Sequence, residues 1–171
     1  MSAIEPGALL AHAAALAGGP GATGDPAVEF RRSVSGAYYA VFHAVALAVA
    51  RRLAPASAAD THCRIARSVD HGRAAEVCRW LAEPGGGRRH VVAVVARLRA
   101  NAALVELAER FGQLLTARQT ADYDHLAEVG EEAAGEACAS ATRALALLEE
   151  LGGSPDLDEL LALVALNTPL R

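Results

Sequence analysis

Eight consecutive residues in the second half of the chain hold an unusual concentration of chemically capable side chains. They run from Arg118 to His125, read RQTADYDH, and include an arginine, two aspartates, a tyrosine and a histidine. Histidine titrates near neutral pH and can accept or give up a proton, whereas arginine stays charged and can hold a phosphate through two parallel donors. Strongly helical runs precede and follow this stretch. It is therefore either a functional corner between two helices or only a structural joint.

A second set of polar and aromatic side chains recurs at helical spacing earlier in the chain. Arg32, Ser35, Tyr39 and His43 follow one another at steps of three and four residues, which places them in one stripe of a helix. One interpretation is a row of hydrogen-bonded groups packed between helices. The other is that Arg32, Tyr39 or His43 lines a binding cleft.

The composition predicts an all-α protein. The chain has 171 residues, of which 53% are apolar and only 4% aromatic, so its core must be built mainly from Ala, Leu and Val. Alanine is the best helix former and lets helices approach closely, while the period-two runs of β-branched and aromatic residues that mark strands are almost absent. The length fits one domain, residues 1–171.

Apolar periodicity and turn signals predict an up-and-down bundle of about five main helices plus a short C-terminal helix. Pro6, Pro26 and Pro155 suit helix starts, and Gly152 and Gly153 suit a helix end. The predicted helices cover residues 6–17, 26–53, 60–82, 91–117 with a break near Asn101, 126–151 and 155–166.

Side chains that can accept a hydrogen bond from the first turn predict where several helices begin. Asp25 is placed to cap the second helix, and Asp60 or Thr61 the third. Asp122 or Asp124 is predicted to cap the fifth helix, which would put His125 in its first turn.

Neither a membrane protein nor a metal protein is predicted. The N-terminus lacks a basic segment followed by an apolar one, and the apolar run Ala44 to Ala50 is too short to cross a bilayer. The three cysteines form no CxxC pair, which is typical of reduced thiols in a cytoplasmic protein. His62, Asp70 and His71 match no zinc signature, so we expect no metal and no cofactor.

The charges are unevenly distributed along the chain. It has no lysine, and residues 31–118 hold 14 of its 16 arginines against 6 acidic residues. Residues 119–171 hold 2 arginines against 11 acidic residues. A basic middle can meet phosphates, or the two regions can pair within the fold or across a dimer.

Two stretches resemble a known family. RRSVSGAYYAVFHAV (Arg31 to Val45) looks like the second helix of HEPN domains (higher eukaryotes and prokaryotes nucleotide-binding). RQTADYDH is similar to the Arg, three residues, Asp-Tyr element of a bacterial and archaeal HEPN branch. The resemblance spans residues 26–151 and leaves 154–171 as a C-terminal extension.

The resemblance implies an all-α bundle that is usually a homodimer. Many members are metal-independent RNases of toxin–antitoxin or defence systems, with an Arg and a His separated by four to six residues. Six residues separate Arg118 from His125, so these two are the candidate catalytic residues. His125 would act as base or acid in the attack of the RNA 2′-hydroxyl, and Arg118 would stabilise the negative charge of the phosphorane. The best-known toxins carry a Tyr just after the His, whereas Tyr123 precedes it here.

Because the chain has both Arg118 and His125, the resemblance favours such an RNase. Other members of the family are not catalytic, and that alternative stays open. They bind a nucleotide or pair with a minimal nucleotidyltransferase that acts as antitoxin. The acidic C-terminal third and the position of Tyr123 favour this alternative. A purely architectural dimer is the third. In the binding case, Asp122, Tyr123, Arg32, Tyr39 and His43 are the candidate binding residues.

Overall fold

The computed structural model describes residues 4–18, 24–85, 87, 89 and 91–166. These residues form eight α-helices and no β-strand, which confirms the all-α prediction. The longest helices are the second, sixth and seventh, with 28, 22 and 20 residues. In chain order the helices are α1 (Pro6–Ala17), α2 (Pro26–Leu53), α3 (Ala59–Ala66), α4 (His71–Ala82), α5 (Val92–Leu98), α6 (Ala102–Tyr123), α7 (Glu131–Glu150) and α8 (Pro155–Ala165).

The helix predicted over 60–82 is in fact two helices, α3 and α4. Asp70 interrupts it, because its side chain accepts a hydrogen bond of 2.7 Å from the backbone N–H of Arg73 and so caps α4. The predicted cap at Asp60 or Thr61 is wrong, since α3 begins after Ala58 without a side-chain cap.

The break predicted near Asn101 is confirmed. The Asn101 side chain accepts a hydrogen bond of 3.2 Å from the N–H of Ala103 at the start of α6. At its other end α6 continues past residue 117 to Tyr123, and α7 begins only at Glu131 rather than at 126. Arg118 therefore lies within a helix. At the start of α2, Asp25 accepts from the N–H of Ala27 at 3.0 Å, in agreement with the predicted cap.

The chain divides into two compact units, which we describe separately. The first unit comprises the described residues of Ile4–His43 and Arg110–Ala146. Its core is aromatic where α2 meets α6: the ring of Tyr38 stacks on Phe42 at 6.3 Å and meets the edge of Phe111 at 5.6 Å. The helix α1 packs closely here, because the hydroxyl of Ser33 donates to the carbonyl of Ala13 in the buried interior.

The second unit contains the described residues of Ala44–Glu109 and Leu147–Arg171. In it α8 packs on α4 with an apolar face. The buried side chains of that face are Leu157, Leu160, Leu161, Leu163 and Val164.

Arg73 joins α4 to α8 from a buried position. Its side chain is 8% exposed, its Nε donates to the carbonyl of Leu163 at 3.0 Å, and its Nη1 pairs with Glu76 at 2.8 Å. The guanidinium also lies 4.8 Å from the ring centroid of Trp80, a cation–π distance. Arg73 thus satisfies a buried carbonyl, a carboxylate and an aromatic face at once.

By length and composition, α2 is the one helix of the described residues that could cross a membrane. However, 67% of its most apolar stretch is buried inside the protein. That burial is typical of a helix in a protein core. The cytoplasmic location stays a prediction.

Replacing Arg73 tests the role of this buried cation. We expect Arg73→Ala to lower the free energy of unfolding by about 3 kcal/mol, because it removes a buried cation together with its ion pair to Glu76 and its hydrogen bond to the carbonyl of Leu163. The measurement is urea denaturation followed by circular dichroism.

The matched control is Arg64→Ala. Arg64 pairs with Asp60 at 2.8 Å, but its side chain is 78% exposed. Loss of such a surface pair costs about 0.3 kcal/mol. Equal effects of the two substitutions would contradict the role given to Arg73.

Candidate functional site

The stripe of polar residues on α2 meets the last turn of α6 in the first unit. Tyr39 and Ser35 come from α2, and Arg118, Asp122 and Tyr123 come from the end of α6. We call these five residues the Arg118 corner. Arg118 and Asp122 are four residues apart and so lie on one face of the helix, which positions them together.

The guanidinium of Arg118 is held between two tyrosines. Its Nη2 donates to the hydroxyl of Tyr39 at 3.0 Å and to that of Tyr123 at 3.3 Å. Its central carbon lies 5.6 Å and 5.1 Å from the two ring centroids, within the range of cation–π attraction. The side chain is 19% exposed.

Asp122 supplies the countercharge to Arg118. Its Oδ2 lies 2.6 Å from Nε of Arg118. The Nε hydrogen is not directed at an acceptor among the described residues, so this contact is an ion pair and not a hydrogen bond. The other carboxylate oxygen accepts from the hydroxyl of Ser35. Burial lowers the pKa of Arg118, but Tyr39, Asp122 and Tyr123 outweigh it and leave that pKa above its ordinary value.

One donor group of Arg118 is open to a ligand. Nη1 makes no hydrogen bond or ion pair with any residue that the structure describes. The ring of Tyr123 beside it is also accessible, since that residue is 67% exposed. The corner can therefore offer an arginine donor and an aromatic face.

The segment after α6 is fixed by Arg31. From α2, its Nη1 donates to the carbonyls of Ala121 at 2.7 Å and Asp124 at 3.0 Å, and its Nη2 donates to the carbonyl of Ala127 at 2.5 Å. The last carbonyls of a helix have no partner within the helix. Arg31 provides one, which explains why α6 ends where it does.

Neither Asp122 nor Asp124 caps α7, contrary to the prediction. Asp122 belongs to the last turn of α6. The Asp124 carboxylate accepts from the N–H groups of Leu126 at 2.9 Å and Ala127 at 3.1 Å, which forms a local turn before α7 begins at Glu131. His125 consequently lies in the loop between the helices and not in a first turn.

The remaining predicted site residues are only partly brought together. The ring of His43 lies 6.3 Å from that of Tyr39, and burial lowers the pKa of His43. Arg32 and His125 are both exposed, and neither makes a hydrogen bond or ion pair within the described part of the chain. The geometry thus unites Tyr39, Arg118, Asp122 and Tyr123, with His43 one turn along α2.

Two contributors to this site were not among the predicted site residues. Ser35 lies in the same stripe of α2 as Tyr39, and its hydroxyl donates to Asp122. Its place in that stripe is the sequence signal that could have identified it. Arg31 lies at the start of the HEPN-like stretch, but its partners are 90 to 96 residues away in sequence and are backbone groups. No local sequence signal identifies such partners.

The described residues contain no group of three or more His, Cys, Asp or Glu side chains that could hold a metal ion. What the Arg118 corner offers is a single cation, two phenol hydroxyls and an exposed ring. That set suits recognition of an anion beside an aromatic group.

Comparisons of the chain with protein-family models, with curated proteins and with solved structures found no match. The HEPN resemblance therefore rests on the two quoted stretches. Arg31, Ser35, Tyr39, Arg118 and Asp122 of those stretches contact one another or the same loop in this fold.

Replacing Arg31 tests whether it fixes the loop. We expect Arg31→Met to lower the free energy of unfolding by about 2 kcal/mol, because it removes charged donors from three carbonyls. Hydrogen exchange at the amides of Leu126 and Ala127 should also become faster. The neighbouring Arg32→Met, which removes an exposed arginine, should change neither quantity. Unchanged exchange in Arg31→Met would show that the loop is fixed by something else.

Proposed function

We propose that the chain is a HEPN-like helical domain, arranged as an up-and-down bundle, which binds a nucleotide at the Arg118 corner without cleaving RNA. The observation that carries this proposal is the open Nη1 of Arg118 beside the exposed ring of Tyr123. An arginine donor suits a phosphate oxygen, and an exposed aromatic ring suits a base. Together they match the two ends of a nucleoside monophosphate.

The way Arg118 is held favours binding over catalysis. Its contacts with Tyr39, Tyr123 and Asp122 fix the guanidinium before a ligand arrives, so little side-chain freedom is lost on binding. A general base needs an equally fixed position. His125 has no partner among the described residues that would orient it.

The acidic residues nearby limit the expected affinity. The charge of Asp122 is offset by Arg118, and the carboxylate of Asp124 is engaged by two backbone N–H groups. Glu128 is exposed and remains to repel a phosphate. We therefore expect weak binding that depends on the phosphate and decreases with salt.

Calorimetry with adenosine monophosphate tests the proposal. Because a stacked base contributes about 1–3 kcal/mol, Tyr123→Ala should weaken binding by about 5-fold or more. Tyr123→Phe keeps the ring and should retain most of the affinity. Adenosine, which lacks the phosphate, should bind more weakly than the monophosphate.

The matched control is Leu126→Ala. Leu126 is 95% exposed and lies three residues after Tyr123, outside the contacts of Arg118. Its truncation should leave the affinity unchanged. Nucleotide binding that is equally weakened by both truncations, or is absent in the unaltered chain, would sink the proposal. Arg118 itself is a poor test, because its removal also leaves Asp122 without a countercharge.

A second function, metal-independent RNA cleavage, is favoured by the accessibility of His125. Its imidazole is exposed and unpaired among the described residues, so it is free to accept the proton of a 2′-hydroxyl. Nη1 of Arg118 can stabilise the negative charge that develops on the phosphorane oxygens. The resemblance implies a homodimer, in which two such corners would face each other.

This second function predicts cleavage of RNA in the presence of a metal chelator, with 2′,3′-cyclic phosphate ends. His125→Ala should abolish it, whereas His12→Ala, which removes another exposed histidine, should not. Intact RNA after incubation with the unaltered chain would exclude cleavage.

A further inference from the structure

A small pocket in the second unit is separate from the Arg118 corner. Its volume is about 230 Å³. One wall is formed by one side of α5 and by Arg99, the residue that directly follows this helix. Because the residues of that face are three or four positions apart, they share one side of the helix. The wall residues are Val92, Val95, Ala96 and Arg99 from α5 and its end, and Pro84 and Gly85 from the segment after α4.

Gly85 lines this pocket from the turn after α4. Its φ of +76° lies in the left-handed region, which residues with a Cβ rarely adopt. No described atom lies within 4 Å of where its Cβ would be, so the backbone conformation and not a lack of space requires glycine here.

Arg99 is the polar side chain of the pocket, and it lacks a partner among the described residues. Its Nη1 is buried from solvent without a hydrogen bond, and its other nitrogens make no hydrogen bond or ion pair with that part of the chain. Every other described arginine that is buried or half-buried has at least one partner. These arginines are Arg31, Arg73, Arg110, Arg118 and Arg143.

A guanidinium nitrogen that has lost both water and an acceptor is unfavourable, so such groups call for an acceptor from elsewhere. The planar fork of an arginine matches a carboxylate through two parallel hydrogen bonds. The other wall side chains, of Pro84, Val92, Val95 and Ala96, are apolar. We propose that this pocket binds a small carboxylate that carries a short branched aliphatic group.

The size and polarity of the pocket define this ligand class. A volume of 230 Å³ holds about seven water molecules, which corresponds to an acid of roughly seven non-hydrogen atoms. Inorganic phosphate fits less well, because apolar walls would strip its water while a single arginine compensates its charge. A neutral molecule of the same shape would leave the guanidinium without an anion.

The test uses isovalerate, the anion of a branched acid of this size, titrated into the ¹⁵N-labelled full chain. We expect saturable shifts of the amide signals of Gly85, Val95 and Ala96, with a Kd on the order of 1 mM. Arg99→Gln should weaken binding at least 10-fold. Arg89→Gln, which removes an exposed arginine of the neighbouring loop, should leave the Kd unchanged.

A second variant keeps the test decisive if Arg99→Gln disturbs the fold. Ala96→Leu retains the charge but fills the pocket from an exposed position, and should also abolish the shifts. Isovaleramide, the neutral analogue, should bind at least 10-fold more weakly than isovalerate. Equal binding of the amide, saturable binding of phosphate without binding of isovalerate, or no effect of Arg99→Gln would each overturn the proposal. Tyr123→Ala should not affect isovalerate binding, so this result is independent of the nucleotide site.

Discussion

The end of α6 depends on the guanidinium of Arg31. A helix leaves its last carbonyls without internal partners, and in the interior those groups need another donor. Arg31 donates to one carbonyl in the last turn of α6 and to two in the following loop. Because a charged, planar group makes all three bonds, the helix stop and the path of the loop are set together. Tyr123 is the last residue of α6, so the end of the helix also sets the position of Tyr123.

The Arg118 corner shows how one cation can be fixed while one of its donor groups stays open. Two aromatic faces and two phenol oxygens surround its guanidinium, while Asp122 supplies one negative charge. Ser35 in turn donates to Asp122 and holds that carboxylate in place. A chain of contacts thus runs from α2 through Asp122 to Arg118, and each member restricts the rotamer of the next. Such support is what a binding site needs in order to keep its geometry.

Much of the fold can be read from periodicity, and so can part of the site. The face of α2 that carries Val34, Tyr38 and Val41 is buried, because apolar spacing in a long helix reports its packing directly. Residue type and spacing likewise identify Tyr39 and Arg118 as candidate site residues. Boundaries set by a local cap are harder to predict: Asp60 and Asp70 both suit a helix start, and only Asp70 accepts the capping bond. The end of α6 cannot be predicted from local sequence, since it depends on an arginine more than 90 positions away.

The aromatic residues are divided between the two units in a way that is useful for spectroscopy. Trp80, which lies against Arg73, is the chain's single tryptophan and belongs to the second unit. All three tyrosines, Tyr38, Tyr39 and Tyr123, belong to the first unit. Emission excited at the red edge of the absorption band therefore reports on the environment of the second unit alone. The tyrosine part of the near-ultraviolet absorbance, once the overlapping tryptophan band is subtracted, reports on the first. The natural chain consequently carries a separate optical probe for each unit, and no label is needed to ask whether the two unfold together.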